Sequence, residues 1–258
     1  MGTEVMSLSS EYKRQFRWRA WPTIFDALPS LRGQTILDLG CGVGDLAAEF
    51  VARGAHVIGV DMSEELVAEA RSRQLPNVEF RTDDLCTLSG LGMAVDGLWC
   101  SFTAAYFPDL PTALTLWAKN LKARGWIAIT EIDDLFGHEP LSVATKTLLR
   151  AYAKEAFATG RYDFLMGRKL RDHLERSGFT VTKILTLEDQ ELSFSGPARS
   201  EVRNAWAARF NRMKLLRDFC GPTMDQVQEE FLGCLMRRDH RSIAKVYCCI
   251  ANKDVPQP

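Results

Sequence analysis

The sequence predicts an α/β fold: a mostly parallel seven-stranded sheet flanked by helices, with a helical cap inserted between its last two strands. Three observations lead there. Short apolar runs alternate with amphipathic stretches through the first 130 residues, the pattern of strands buried on both faces and joined by crossover helices. Residues 35–44, TILDLGCGVG, form an apolar run that ends in three glycines and passes at once into the helical DLAAEFVARG. Finally, two strand-like runs near the C-terminus, FTVTKILTL and IAKVYCCIA, are separated by long helical stripes, which interrupt what should be neighbouring strands.

Taken in order, TILDLG is the first strand. In the helix that follows, Leu46, Ala47, Phe50 and Val51 share a face and Gly54 stops the helix. HVIGVD is the second strand. Ser63 can cap the next helix, with Glu64 and Glu65 in the first turn where the helix dipole favours anions. Pro76 and Asn77 break that helix, VEFRT extends as the third strand, and GLWCSF is a fourth that ends near Phe102. Pro111 suits a first helical turn, Leu110, Ala113, Leu114, Trp117 and Leu121 form a buried stripe, and Gly125 is expected to end the helix before the fifth strand, WIAITEI. Helices are predicted over 141–159 and 168–177, then the sixth and seventh strands. Between these last two, Val202, Trp206, Phe210 and Met213 make one stripe and Met224, Val227, Phe231 and Leu235 another. The chain therefore reads as a single domain over 1–258, with 195–241 as the cap.

Composition narrows the function. Apolar residues make up 46%, charged residues 25%, and the net charge is -1, so no polyanion is advertised as a partner and nucleic acid is not expected. No apolar run approaches the roughly 20 residues that cross a bilayer, so no membrane partner is expected either. Seven scattered cysteines without a CxxC pair read as reduced thiols of a cytoplasmic protein rather than a disulfide frame or a zinc site. The pattern leaves the oligomeric state open.

A strand that turns through glycines into a helix offers backbone N–H groups and the positive end of a helix dipole to a nucleotide-type ligand. Ligands of such sheets lie outside the carboxyl ends of the strands, which brings Asp38 to Gly44, Asp61, Met62, Asp84 and Ser101 to Ala104 to one crevice. A dinucleotide dehydrogenase is the first alternative, but its G-x-G-x-x-G spacing is replaced here by Gly40, Gly42 and Gly44. Asp38 discriminates further, since a carboxylate repels a pyrophosphate and attracts an ammonium group.

ILDLGCGVGDLAAEF, VIGVDMSEELVAEAR and VEFRTDDL, in that order, resemble the opening motifs of the class I S-adenosylmethionine-dependent methyltransferases over roughly residues 12–132. The resemblance implies a Rossmann-like fold, S-adenosyl-L-methionine as cofactor and methyl transfer to a small-molecule acceptor. It implies that Asp38 and the backbone of Gly40, Cys41 and Gly42 hold the amino and carboxylate ends of the cofactor, and that Asp61 takes the ribose hydroxyls. It also implies that Met62 packs on adenine, that Asp84 with the Leu85 backbone meets the exocyclic amine, and that Ser101 lies near the methionine portion. Asp83 could replace Asp84 in register. A leading helix over 9–29 is expected to cover the cofactor, with Tyr12 and Trp18 facing the site.

Methyl transfer requires the acceptor atom held in line in a dry pocket, and a weakly acidic acceptor also needs a base. His138, after the fifth strand, is the first candidate for that base. A hydrogen-bonded loop histidine is the plain alternative, and His240, Glu131 and Asp133 are further options. Tyr106, with Phe107, is placed beside the acceptor, and Trp206, Phe210, Phe219 and Phe231 of the cap either join an aromatic pocket or form ordinary core. Metal-dependent relatives carry an aspartate where Ser101, Phe102 and Thr103 stand, so no metal is expected. Every strong motif concerns the cofactor, so a cofactor-binding sensor or scaffold is a second reading. An RNA methyltransferase, suggested by Lys13, Arg14, Arg17 and Arg19, and an NAD-dependent oxidoreductase rank lower.

Overall fold

The computed structural model describes residues 8–88 and 91–255. The strands are β1 (Thr35–Leu39), β2 (His56–Asp61), β3 (Val78–Thr82), β4 (Val95–Ser101), β5 (Leu121–Asp133), β6 (His138–Glu139), β7 (Phe179–Leu187), β8 (Arg241–Ser242) and β9 (Lys245–Lys253). The helices are α1 (Leu8–Phe16), α2 (Trp21–Ala27), α3 (Asp45–Ala52), α4 (Glu64–Ser72), α5 (Leu110–Trp117), α6 (Val143–Ala158), α7 (Met166–Arg176), α8 (Ser200–Arg212), α9 (Lys214–Cys220) and α10 (Met224–Leu235).

Seven strands form one sheet in the order β3-β2-β1-β4-β5-β9-β7. The first five are parallel, and β9 runs antiparallel to both β5 and β7. The order reverses beside β1, and that reversal opens the crevice at the carboxyl ends of β1 and β4. Along β1 the side chains alternate: Ile36 enters one core layer, Leu37 and Leu39 the other. Trp99 of β4 anchors the first layer, with Phe25 of α2 stacked on it at 5.6 Å and Phe50 of α3 edge-on at 5.1 Å. Such pairs add about 0.5–1.5 kcal/mol each beyond area burial, and they fix both flanking helices against the sheet.

Ser63 accepts the Leu66 N–H as the predicted cap of α4, and Phe179–Leu187 forms the strand the sequence outlines. Two expectations are corrected. The leading helix over 9–29 is two helices, because residues 17–20 leave helical geometry and Pro22 restarts the second one near its first turn. Gly125 does not end a helix. The helix stops at Trp117, a short 3-10 turn spans Ala118–Asn120, and β5 already begins at Leu121. Positive φ at Arg124 and a register shift opposite Val95 and Gly97 let the strand bulge and continue.

Residues 188–244 leave the sheet from β7 and return to it as β9, carrying α8, α9 and α10. Their apolar stripes bury Trp206, Phe210 and Phe231 together, with Trp206 and Phe231 ring centroids 4.9 Å apart and Phe210 and Phe231 5.0 Å apart. No described helix is long and apolar enough to cross a membrane.

Candidate active site

The glycine turn is held from the second strand. Gly40 and Cys41 donate their N–H groups to Val60 O at 2.8 and 3.0 Å, and Gly42 donates to Asp61 Oδ2 at 2.9 Å. All three glycines have positive φ, which only glycine adopts freely. Two of them also make room for protein rather than ligand: a Cβ on Gly40 would sit 2.2 Å from Thr103 Oγ1, and one on Gly44 2.6 Å from Phe80 Cζ. Only at Gly42 is there space, with the Tyr12 ring 3.7 Å from an added Cβ. The N–H groups of Gly40 and Cys41, expected to meet the ligand, are directed at Val60 instead. Burial also pushes the Cys41 thiol far up, which leaves it inert.

Asp38 is 2% exposed and its Oδ2 has no hydrogen-bond partner. Burial, then the neighbouring charge of Asp61, raise its pKa to about 7, so the site is primed for a cation that would let it ionise. Asp61 is half-buried and accepts Gly42 N–H through one oxygen and Ser63 N–H, at 2.9 Å, through the other. Each carboxylate oxygen has two acceptor positions, so one per oxygen stays available for a pair of hydroxyls.

Farther along the sheet edge, Met62 is 77% exposed beside Asp61. Asp84 is exposed and its Oδ1 accepts the Cys86 N–H at 2.8 Å, a turn-forming role. The Leu85 side chain is buried and its carbonyl already accepts the Trp117 indole N–H at 3.0 Å. Ser101 ends β4 with a buried, unpartnered Oγ, and the next residue, Phe102, turns away at positive φ.

Beside Ser101 a second group of side chains converges. Tyr106 is 62% exposed at the rim, edge-on to Tyr162 at 4.8 Å. Glu131 of β5 is fully buried: Oε2 accepts the Ile132 N–H at 3.1 Å and Oε1 has no partner. Burial raises its pKa to about 8 against the backbone N–H groups of Ile132 and Ala105, so it is a neutral carboxyl at pH 7. From α8, Arg209 stacks over Trp206 at 5.1 Å, donates through Nη2 to Glu191 Oε1 at 2.6 Å, and keeps a buried, unpartnered Nε. Tyr162 feels both Glu131 and Arg209, and Tyr12 of α1 feels Asp61, Tyr106, Arg209 and Arg212. Glu11 pairs with Arg212, tying α1 to α8.

Two expectations are displaced, those for His138 and Trp18. His138 does not open onto the crevice, because the chain after β5 forms β6, pairs with β8, and buries the imidazole at 1% exposure. Its Nδ1 lies 2.9 Å from His240 Nε2, His240 Nδ1 lies 2.8 Å from Gly196 O, and Trp206, Phe194 and Phe231 surround the ring. Burial, then the second imidazole, lower its pKa to about 3. It is thus a neutral core histidine, and His240 with it. Trp18 is buried in the core under Arg14, and its carbonyl accepts the Gln190 N–H at 3.2 Å. Trp206, Phe210 and Phe231 are core, and Phe219 packs on Tyr152. Of the remaining base candidates, Asp133 accepts from Arg168 at 2.6 Å, which leaves Glu131, whose Oε1 has no partner.

Tyr162 and Arg209 carried no motif. Arg209 lies three residues after Trp206 on an amphipathic helix, and its charge reads as a solvated face until the fold turns it inward.

Residues 36–125 match the family model described as a methyltransferase domain. The chain is 35% identical over 114 residues to nocamycin O-methyltransferase of Saccharothrix syringae, covering 42% of this chain and 41% of that protein. It is 34% identical over 96 residues to trans-aconitate 2-methyltransferase of Deinococcus radiodurans, 36% of each. The aligned part thus spans about two fifths of these curated relatives. Among solved structures, the S-adenosylmethionine-dependent methyltransferase of Mesorhizobium loti shares the fold with a TM-score of 0.55 at 19% identity, over 90% of this chain and 97% of that one.

Proposed function

We propose that this chain, whose residues 36–125 match the methyltransferase-domain family model, is a class I S-adenosylmethionine-dependent methyltransferase that transfers a methyl group to an O, N or C atom of a small organic acceptor. The observation that carries the reading is the unpartnered, buried Oδ2 of Asp38 next to the glycine turn. A buried carboxylate without a partner is costly, and an ammonium group delivered to it would remove that cost. A pyridine dinucleotide would instead bring a pyrophosphate towards Asp38 and Asp61, adding repulsion.

The residues present fit the cofactor. Asp38 would hold its ammonium group, Asp61 its ribose hydroxyls through the two acceptor positions left open, and Met62 one face of its adenine, with Asp84 and Ser101 at the two ends of the crevice. When bound, S-adenosylmethionine supplies a methyl group activated for in-line displacement. The protein's part is to bind, orient and dry the acceptor. Tyr12 closes over Gly42 from α1, Tyr106 and Tyr162 flank the acceptor, and the helices within 195–241 cover it as a cap. No covalent step through the protein is needed. Glu131 replaces His138 as the group that, once ionised, can take a proton from the acceptor, because its Oε1 is unpartnered and its charge acts on both Tyr106 and Tyr162. The two curated relatives are named for methylation of nocamycin and of trans-aconitate, which supports a small acceptor here.

The test is calorimetry with S-adenosylhomocysteine, followed by transfer of a labelled methyl group from S-adenosylmethionine to a panel of small O, N and C acceptors. Micromolar binding and label transfer are expected. Binding of NADH but not of S-adenosylhomocysteine would reject the reading.

A further inference from the structure

The acceptor side of the crevice is rich in donors. Arg209 has one buried N–H without a partner, and the rings of Tyr106 and Tyr162, both of which feel its charge, meet edge-on at 4.8 Å. Glu131, fully buried with an unpartnered Oε1, acts on the same two phenols. The guanidinium of Arg209 is not free to turn, because its Nη2 is held by Glu191 and its plane rests on Trp206. Glu191 is held in turn by Arg19 through Oε2 at 2.9 Å, and Asp189 takes the other arm of Arg19 at 2.8 Å. Arg209 therefore presents Nε from a rigid mount, with its charge about half balanced by Glu191.

We propose that the acceptor of this crevice carries a carboxylate, received by Arg209 Nε and the tyrosine hydroxyls. A planar monoanion with acceptor-only oxygens matches a fixed N–H of an arginine flanked by hydroxyl donors. A phosphate dianion matches less well, since the two guanidiniums that act on Tyr106, Arg209 and Arg212, are already paired with Glu191 and Glu11 and leave too little free charge for two negative ones. A neutral acceptor would leave Arg209 Nε desolvated and unpaired, which disfavours it. The inference rests on the methyltransferase reading of the same crevice and adds the substrate class.

The experiment uses the full chain and two probes of equal shape, benzoate and benzamide, titrated by calorimetry with and without saturating S-adenosylhomocysteine. Benzoate is expected to bind at least about tenfold tighter than benzamide, the margin of a charge-assisted hydrogen bond. Arg209→Gln should abolish that preference with S-adenosylhomocysteine affinity within about twofold of the native value, since Arg209 belongs to the acceptor side. Arg209→Lys, which keeps the charge but loses Nε, should fall between. Equal affinity for the two probes, or an Arg209→Gln chain that still prefers benzoate, overturns the proposal. Should Arg209→Gln fail to fold, the benzoate-to-benzamide ratio of the native chain decides alone. A chain that selects benzoate yet ignores S-adenosylhomocysteine would instead overturn the methyltransferase reading, so the two failures are told apart.

Discussion

Gly42 donates its backbone N–H to Asp61 Oδ2 at 2.9 Å, so the middle of the glycine turn hangs on the carboxylate that ends the neighbouring strand. Ser63 N–H occupies the other oxygen, which means the side chain both builds the site and is left to serve it. Asp61→Ala removes the side-chain acceptors of two backbone N–H groups at once. Each hydrogen bond to a charged group is worth about 1.5–3 kcal/mol, so S-adenosylhomocysteine affinity should drop at least about tenfold in calorimetry, with a lower melting temperature. Unchanged affinity would dissociate Asp61 from the ligand.

The glycines separate into two kinds. Gly40→Ala must push Thr103 aside at 2.2 Å and hold positive φ, so it should lower global stability by on the order of 1–3 kcal/mol. Gly42→Ala faces open space with only Tyr12 near. Its effect should fall mainly on S-adenosylhomocysteine binding, with a smaller loss of stability from the left-handed backbone, on the order of 1 kcal/mol. Urea denaturation and calorimetry on both variants distinguish the two effects.

Asp38 has its pKa raised to about 7, by burial first and Asp61 second. The native state thus binds this proton more tightly than the unfolded chain. The resulting stability is fully present below pH 3.8 and is lost as pH rises through about 7. Asp38→Asn keeps the neutral shape, so at pH 8 it should be more stable than the native protein by on the order of a few kcal/mol. The same variant should bind S-adenosylhomocysteine at least about tenfold more weakly, having lost the ammonium partner. Equal denaturation curves at pH 8 would contradict the buried-carboxyl assignment.

The His138–His240 pair titrates in the opposite sense. Burial, then His240, lower the His138 pKa from 6.5 to about 3, so the unfolded chain takes up the proton first. Stability from this group is fully present above pH 6.5 and falls as the pH drops towards 3, by at most about 1.4 kcal/mol per pH unit. His138→Phe removes that term and leaves His240 Nε2 without its partner. The variant should be less stable than the native protein at pH 7.5, with the gap narrowing at pH 4.5 in parallel urea titrations. A gap that is constant with pH would mean that His138 does not titrate in this range.

Much of the sheet was legible because its causes are local. Alternation and apolar runs mark β1 to β5, Ser63 marks the start of α4, and Asp38 and Asp61 follow from their places at strand ends. What escaped was set by distant contacts. Gly40 was read as clearance for a ligand, whereas Thr103, some sixty residues on, fills that space. His138 looked like a loop residue because nothing nearby in sequence announces β8, the two-residue partner that draws it into the core. Trp18 belongs to the junction after α1, where the helix breaks, its carbonyl meets the distant Gln190 N–H and its ring is buried in the core. Arg209 and Tyr162 come from segments without a motif, and only the fold brings the charge of Arg209 to bear on Tyr162.

The helical arm bearing Arg209 departs and returns on two antiparallel strands that lie side by side, Leu187 facing Val246 across the ladder. The glycine turn and the two aspartates beside it come wholly from upstream of that arch. An exchange of the segment for one of different sequence would keep both anchor points in register, so the arm could be remodelled while the glycine turn and its aspartates stayed as they were. A graft of a foreign arch at this hairpin is accordingly the natural route to redirecting the enzyme.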